Sequence, residues 1–208
     1  MRALDRLIAL RYPARAVWGR FQTKHLLDFV FVHINKTGGT SIERALGAPF
    51  QHLTALELRQ RLGQRRWGNR FSFGFVRNPW DRVVSHYHYR VKTNQTGLAE
   101  RPIPFEEWVV RAYGDRDPSY YDQPKMFMAQ YRWLSDGEGR QIVDFVGRFE
   151  RLHDDFAEVC RRLGVEASLP HLKTSVHRDY RELYSAETRD VIGHRFEGDI
   201  ARYGYEFD

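Results

Sequence analysis

Two short stretches carry residues whose types and spacing could handle a phosphate or a related oxyanion. The first is His33-Ile34-Asn35-Lys36-Thr37-Gly38-Gly39-Thr40-Ser41. Two adjacent glycines let the backbone turn sharply and approach a ligand closely. The N–H groups of Gly38 to Ser41 stand where a helical pattern begins, and a helix N-terminus attracts anions. Lys36 adds a point charge, and Thr40 and Ser41 add hydroxyl donors. The order is not that of a nucleotide triphosphatase loop, Gly-x-x-x-x-Gly-Lys-Ser/Thr, because here the lysine precedes the glycines. The second stretch is Phe73-Gly74-Phe75-Val76-Arg77-Asn78-Pro79-Trp80-Asp81-Arg82-Val83-Val84-Ser85. Arg77 closes an apolar run, where a planar guanidinium either grips a phosphate through two parallel bonds or pairs with a neighbouring acid. Ser85 follows about two helical turns later, offset from the core stripe of Trp80 and Val84, so its hydroxyl can face the same pocket.

The elements that must position these groups follow from periodicity and punctuation. Residues 29–34 are a short apolar, β-branched and aromatic run, read as a buried strand. The glycine loop comes next, then a helical pattern through Ile42, Ala45 and Leu46 closed by Gly47. Thr54-Ala55-Leu56-Glu57 is a capping box, opening a helix that stops at Gly63. Residues 71–76 read as a second strand, and Asn78-Pro79 as the N-cap and first position of a helix to about Lys92. Residues 93–139 are punctuated by Gly and Pro, with short helices expected over 105–113 and 124–134. A third strand is expected over 142–149, a helix over 152–163, a loop over 169–184, and a last helix over 186–203 with Ser185 as its N-cap. Strands alternating with helices imply parallel strands joined by crossovers, hence an α/β sandwich. Ligands on such sheets bind outside the carboxyl ends of the strands, where both stretches fall.

Composition narrows the partner without naming it. At 208 residues the chain can bury one sizeable core, and it reads as one domain with residues 1–26 as a helical extension. A net charge of +6 favours an anionic partner, whether nucleotide, nucleic acid, acidic polysaccharide or anionic lipid. The single Cys160 excludes an intramolecular disulfide, and with Leu152, Phe156, Val159 and Leu163 it forms an apolar stripe, which makes it a buried small hydrophobe. No Cys/His cluster has zinc spacing. No stretch reaches the roughly 18 apolar residues of a membrane span. Over residues 1–12, Leu4, Leu7 and Ile8 share a face that Arg2, Asp5, Arg6 and Arg11 interrupt too often for a secretory leader. That pattern fits an ordinary packed helix, with a basic interfacial helix making peripheral membrane contact as the alternative. On these grounds the chain is expected to be cytoplasmic.

Together the two stretches resemble the phosphosulfate- and 3′-phosphate-binding segments of the membrane-type carbohydrate sulfotransferases and their bacterial relatives. Their spacing, the later Val143-Asp144-Phe145-Val146-Gly147-Arg148-Phe149-Glu150, and Leu169-Pro170-His171-Leu172-Lys173-Thr174-Ser175 fit the same pattern, so the resemblance runs from Phe29 to Asp208. One departure is Asn35, where the family usually has proline. It is expected to loosen the loop backbone while removing no ligand-facing group. The resemblance implies a three-layer sandwich with a central parallel sheet, like the P-loop nucleotide hydrolases. It also implies transfer of a sulfuryl group from 3′-phosphoadenosine-5′-phosphosulfate (PAPS) to a carbohydrate or glycoconjugate hydroxyl, with no metal required. In that reading Lys36 contacts the bridging oxygen of the leaving phosphate. The N–H groups of Thr37, Gly38, Gly39 and Thr40, with the Thr40 and Ser41 hydroxyls, hold the 5′-phosphate. Arg77 and Ser85 bind the 3′-phosphate, and Lys173, Thr174 and Ser175 close over the nucleotide.

An acceptor hydroxyl must lose its proton as sulfur arrives, so a general base is needed. Among nine histidines, His52 stands in an irregular stretch just before the Thr54 cap, where similar sulfotransferases place a histidine or glutamate base. His33 reads as a satisfied core histidine, His86 and His88 as neighbours of core positions, and His153 and His194 as solvated helix residues. Gln130 to Leu134 lie where family members contact the acceptor, although Trp133 and Leu134 also read as core. Arg111, Arg116, Lys125 and Arg132 are candidates for a basic rim. A kinase-like phosphotransferase would need the other glycine–lysine order and an aspartate for magnesium, and neither is evident. A nucleic-acid-binding protein has the charge in its favour but no recognition motif, and the basic residues are dispersed.

Overall fold

The computed structural model describes Gly19, Phe21, Thr23, residues 25–170 and residues 179–208. The expected helix over residues 1–12 and the segment carrying Lys173, Thr174 and Ser175 lie outside the described residues.

Three strands form a parallel sheet in the order β1 (Phe29–Val32), β2 (Phe71–Val76), β3 (Phe145–Arg148). Between β1 and β2 come α1 (Gly39–Leu46), α2 (Ala55–Leu62) and α3 (Gln64–Gly68). Between β2 and β3 come α4 (Pro79–Lys92), α5 (Phe105–Val109) and α6 (Gln130–Leu134). After β3 come α7 (Leu152–Leu163), α8 (Ala186–Arg195) and α9 (Glu197–Tyr203). Alternation along β1 makes the layers. Phe29 and Phe31 pack with Ile42 of α1 and with Phe156 and Val159 of α7. Val30 and Val32 face the other way, against Ala55, Leu58 and Leu62 of α2 and Trp67 of α3. Both faces of the sheet are therefore buried, as in the three-layer α/β sandwich expected from the sequence. A further cluster joins Trp80, Val83 and Val84 of α4 to Trp108 and Val109 of α5 and Ile192 of α8, so α4 links the sheet to a helical outer part.

The capping signals fall where the sequence puts them. Thr54 and Glu57 form a reciprocal capping box, Gly47 ends α1 in the left-handed region, and the Asn78 side chain accepts from the Trp80 N–H. Ser185 caps α8. Cys160 is buried, as its stripe requires. Several boundaries differ, and the strand expected over 29–34 ends at Val32. The strand expected over 142–149 is only Phe145–Arg148. Ile142 N–H donates to Leu134 O at 2.9 Å, folding that end back, and Phe149 opens a 3-10 turn, Phe149–Arg151. The helix expected over 105–113 widens to a π-turn at Val110–Gly114. The one expected over 124–134 breaks at Met128 and Ala129, because Arg82 draws the carbonyls of Met126 and Met128 to itself at 3.2 and 3.1 Å. The last helix breaks at the buried Phe196. The break lets the Asp199 carboxylate accept from the N–H groups of Gln130 and Tyr131, each at 2.8 Å.

Candidate active site

The end of β1 sets the cradle. Lys36 adopts φ +69°, a left-handed conformation that costs a non-glycine residue roughly 1 kcal/mol or more unless its surroundings impose it. They do. Arg82, wholly buried, donates to the Asn35 side-chain oxygen at 2.6 Å and to its backbone carbonyl at 3.2 Å. The Asn35 amide in turn donates to Met126 O at 3.1 Å, and the Thr37 hydroxyl to Ile34 O at 3.0 Å. Asn35 thus tightens the loop through a side chain proline lacks, correcting the expectation that it loosens it.

Two glycines complete the turn. Gly38, at φ +82°, caps α1, and a Cβ on Gly39 would stand 2.0 Å from the His33 ring, so only glycine fits there. The N–H groups of Gly39 and Thr40 open α1 and have no partner within the helix. That of Ser41 is already engaged by Gly38 O at 3.0 Å, which removes one of the expected backbone donors.

Lys36, Gly38, Gly39, Thr40, Ser41, His52, Arg77 and Ser85 all line one cavity of about 930 Å³, ample for a nucleotide. Thr37, the remaining residue of the expected cradle, does not line it: it is fully buried and its hydroxyl donates to Ile34 O. Lys36 Nζ lies 4.2 Å from the centre of the Tyr89 ring. Burial, then the charges of Arg77 and Lys92, lower its pKa to about 8. Arg77 is buried over the Phe149 ring at 4.1 Å. Nε and Nη2 donate to Asp81 at 2.8 and 2.6 Å, and Nη1 donates to Lys36 O at 3.3 Å. Of five N–H donors, one on Nη1 and one on Nη2 remain, enough for a bidentate oxyanion. The acid partner left open by the sequence is therefore present, and it aims the guanidinium without exhausting it.

His52 stands across the cavity. Its Nδ1 lies 2.9 Å from His33 O. A carbonyl can only accept, so Nδ1 carries the proton and Nε2 keeps its lone pair. The ring sits 4.4 Å from His33, 5.0 Å from Phe50 and 6.2 Å from Trp133, centre to centre. Burial, and then the neighbouring His33, lower its pKa to about 4, well below the ordinary imidazole value that the sequence alone would assign.

The rim expected from Arg111, Arg116, Lys125 and Arg132 is not found, since none of the four lines the cavity. Arg111 and Lys125 pair with Glu107 and Glu57 at 2.7 and 2.5 Å, and Arg132 stacks on Tyr131. Gln130 is fully buried and exchanges hydrogen bonds with the Arg77 backbone, while Trp133 and Leu134 are core, so this segment supports Arg77 from behind. Residues that sequence reasoning left outside the site also line it, among them His33, Phe50, Asp81, His86, Tyr89 and His153. Arg77 and Asp81 are four apart on consecutive turns, a spacing that could have announced their pairing. Among the described residues no cluster of three or more His, Cys, Asp or Glu side chains could hold a metal ion, and no helix is long and apolar enough to cross a membrane.

A helix N-terminus, a lysine and an arginine face a neutral imidazole across one cavity, an arrangement whose chemistry suits group transfer from an anionic donor. Comparison with known proteins supplies the family. The chain belongs to the Sulfotransferase family, whose model matches residues 20–206, and it is a transferase by class. It is 28% identical over 133 residues to an uncharacterised protein of Archaeoglobus fulgidus, covering 63% of this chain and 99% of that protein. It is also similar to a crystal structure of a sulfotransferase from Alicyclobacillus acidocaldarius, 19% identical, with a TM-score of 0.43 over 91% of this chain and 84% of that one.

Proposed function

We propose that the protein transfers a sulfuryl group from PAPS to a hydroxyl of a carbohydrate or glycoconjugate. The observation that carries this reading is the placement of Lys36 and the start of α1, Arg77 with Ser85, and His52 around a single cavity. As the acceptor oxygen bonds to sulfur, its proton passes to Nε2 of His52. The bond from sulfur to the bridging oxygen breaks, and its electron pair stays on the 5′-phosphate. Lys36 and the N–H groups of Gly39 and Thr40 stabilise the charge that grows there. Arg77 and Ser85 take the 3′-phosphate that separates this donor from ATP. A sugar acceptor is supported by the resemblance noted above and by Phe50, an exposed aromatic residue (68% accessible) that lines the cavity beside His52 and offers a surface on which a pyranose ring can lie. Retention on immobilised 3′,5′-ADP tests the donor. The protein should stay on that resin at salt concentrations that release it from ATP or DNA resins, and preference for ATP or DNA would contradict the proposal.

A further inference from the structure

Just past the end of α4, Gln95 lines the cavity but takes no part in the steps above. Asn94 at φ +50° and Thr96 at φ +55° flank it, both non-glycine residues in the left-handed region, a strain that persists only where the surroundings impose it. The Asn94 side chain accepts from the Ala99 N–H at 3.0 Å and donates to Glu100 at 2.8 Å. Gln95 itself is held by Arg90 of α4, which is wholly buried. Arg90 Nη1 donates to Gln95 Oε1 at 3.1 Å, while Nη2 donates to Asp122 at 2.6 Å. A guanidinium can only donate, so the amide atom that meets it is the oxygen, and the orientation of the amide is fixed. The N–H groups on Nε2 have no hydrogen-bond partner among the described residues, and Nε2 is not among their enclosed unpaired atoms. Gln95 therefore carries an oriented donor with nothing to receive it.

Its neighbours set it apart from the nucleotide groups. Phe149 lies against Arg77 and Tyr180 against Asn78, so these two rings border the place proposed for the 3′-phosphate. Gln95 is joined through Arg90 to Asp122, and the segment that follows brings Gln123 and Met126 to the cavity. In the same segment Lys125 Nζ lies 5.4 Å from the centre of the Trp133 ring, which stands 6.2 Å from that of His52. Residues 122–126 thus run from Gln95 toward the base, the side an acceptor must occupy. The described residues that line this side beside His52 include Phe50, Tyr89, Gln95, Gln123 and Met126, all uncharged.

We infer that Gln95, fixed by Arg90, is a specificity-determining residue that donates from Nε2 to a hydroxyl of an uncharged sugar acceptor. The inference rests on the PAPS reading and deepens it by naming the class of acceptor. With Lys36 and Arg77 given to the donor's phosphates, a carboxylate or sulfate on the sugar would lose water against neutral side chains, which is costly. A hydroxyl instead completes the amide's bonding, and a site built around one discriminates against sugars that do not supply it.

The test measures transfer from PAPS by the full chain to cellotetraose and chitotetraose, which are neutral, and to a hyaluronan tetrasaccharide, which carries carboxylates. At least one neutral tetrasaccharide should be sulfated, with kcat/KM about tenfold or more above that for the hyaluronan fragment. Gln95→Ala should raise KM for the neutral acceptor about fivefold to tenfold, the scale of one hydrogen bond, and leave the affinity for 3′,5′-ADP within about twofold. Gln95→Glu keeps an oxygen for Arg90 but removes the N–H donors, and it should raise that KM as well. Recovery of the parent KM in Gln95→Glu would show that Gln95 only occupies Arg90, and would overturn the inference. An unchanged KM in Gln95→Ala, equal weakening of 3′,5′-ADP, preference for the hyaluronan fragment, or no transfer to either neutral tetrasaccharide would do the same. Failure of the unsubstituted protein to bind 3′,5′-ADP at all would instead remove the donor reading, and the inference with it.

Discussion

The two ends of the cavity experience the same physical force and turn it to opposite uses. At the Lys36 end, burial and the proximity of Arg77 lower the lysine's pKa to about 8, leaving two cations side by side with aromatic faces and one carboxylate to offset them. Such a pair is incomplete until an anion arrives, so burial there stores a preference for the ligand. At the His52 end, burial among Phe50, His33 and Trp133 lowers the imidazole's pKa to about 4 and keeps a lone pair available throughout the neutral range. Desolvation is the first cause at both ends. What differs is whether the group acts in its charged or its neutral form.

The comparison breaks hardest at Lys36. With PAPS as donor and a panel of sugars as acceptors, Lys36→Ala should lower kcat by roughly 10²–10³-fold while the nucleotide still binds, because its charge acts mainly on the leaving phosphate. A kcat within a few-fold of the parent would remove it from that role. At the other end, His52→Ala should cost roughly 10²-fold in kcat with donor affinity unchanged. Unaltered turnover would return the base to a carboxylate.

The pH profile sharpens the contrast. Falling pH protonates Nε2 of His52 near pH 4, and rising pH strips the Lys36 charge near pH 8. The profile of kcat/KM for the donor should therefore be level between these limits and fall on both sides, by about tenfold per pH unit well outside them. An acid limb near pH 6.5, the value of an ordinary imidazole, would contradict the buried, neutral His52. The smallest effect is expected at the seam between the two ends. Gly39→Ala forces a methyl group against the His33 ring and should destabilise the fold by about 1–3 kcal/mol, read as a lower midpoint in urea. An unchanged midpoint would mean that the seam is looser than its geometry indicates.

Much of this was legible in the chain because it is local. The Thr54–Glu57 capping box, Gly47 at the end of α1, and the Asn78-Pro79 start of α4 each depend on neighbours a few residues away. That the glycine loop, Arg77 and His52 share one cavity could be read for the same reason, from their places relative to strand ends. What escaped depends on packing between distant parts. Gly193 and Gly198 flank the break at Phe196 without standing at it; the break is set by Asp199 meeting the N–H groups of Gln130 and Tyr131. The Arg77 ring platform, Phe149, arrives from the far end of β3. His33 looked like a core histidine and is one by burial, but only the packing of β1 on α1 brings Glu43 to its Nδ1 and sets the residue in the cavity wall.

The most direct test of the central claim is the affinity of the protein for 3′,5′-ADP against 5′-AMP, measured by calorimetry in EDTA with the unsubstituted chain and Arg77→Ala. Two N–H donors of Arg77 are left by its bonds to Asp81 and to Lys36 O, Ser85 lines the same cavity, and the proposed reading gives both to the 3′-phosphate. At ~1.5–3 kcal/mol for a bond to a charged group, the bisphosphate should bind at least about 10²-fold more tightly. Arg77→Ala should erase most of that preference while changing 5′-AMP little. Equal affinity for the two nucleotides, or binding that EDTA abolishes, would contradict the account.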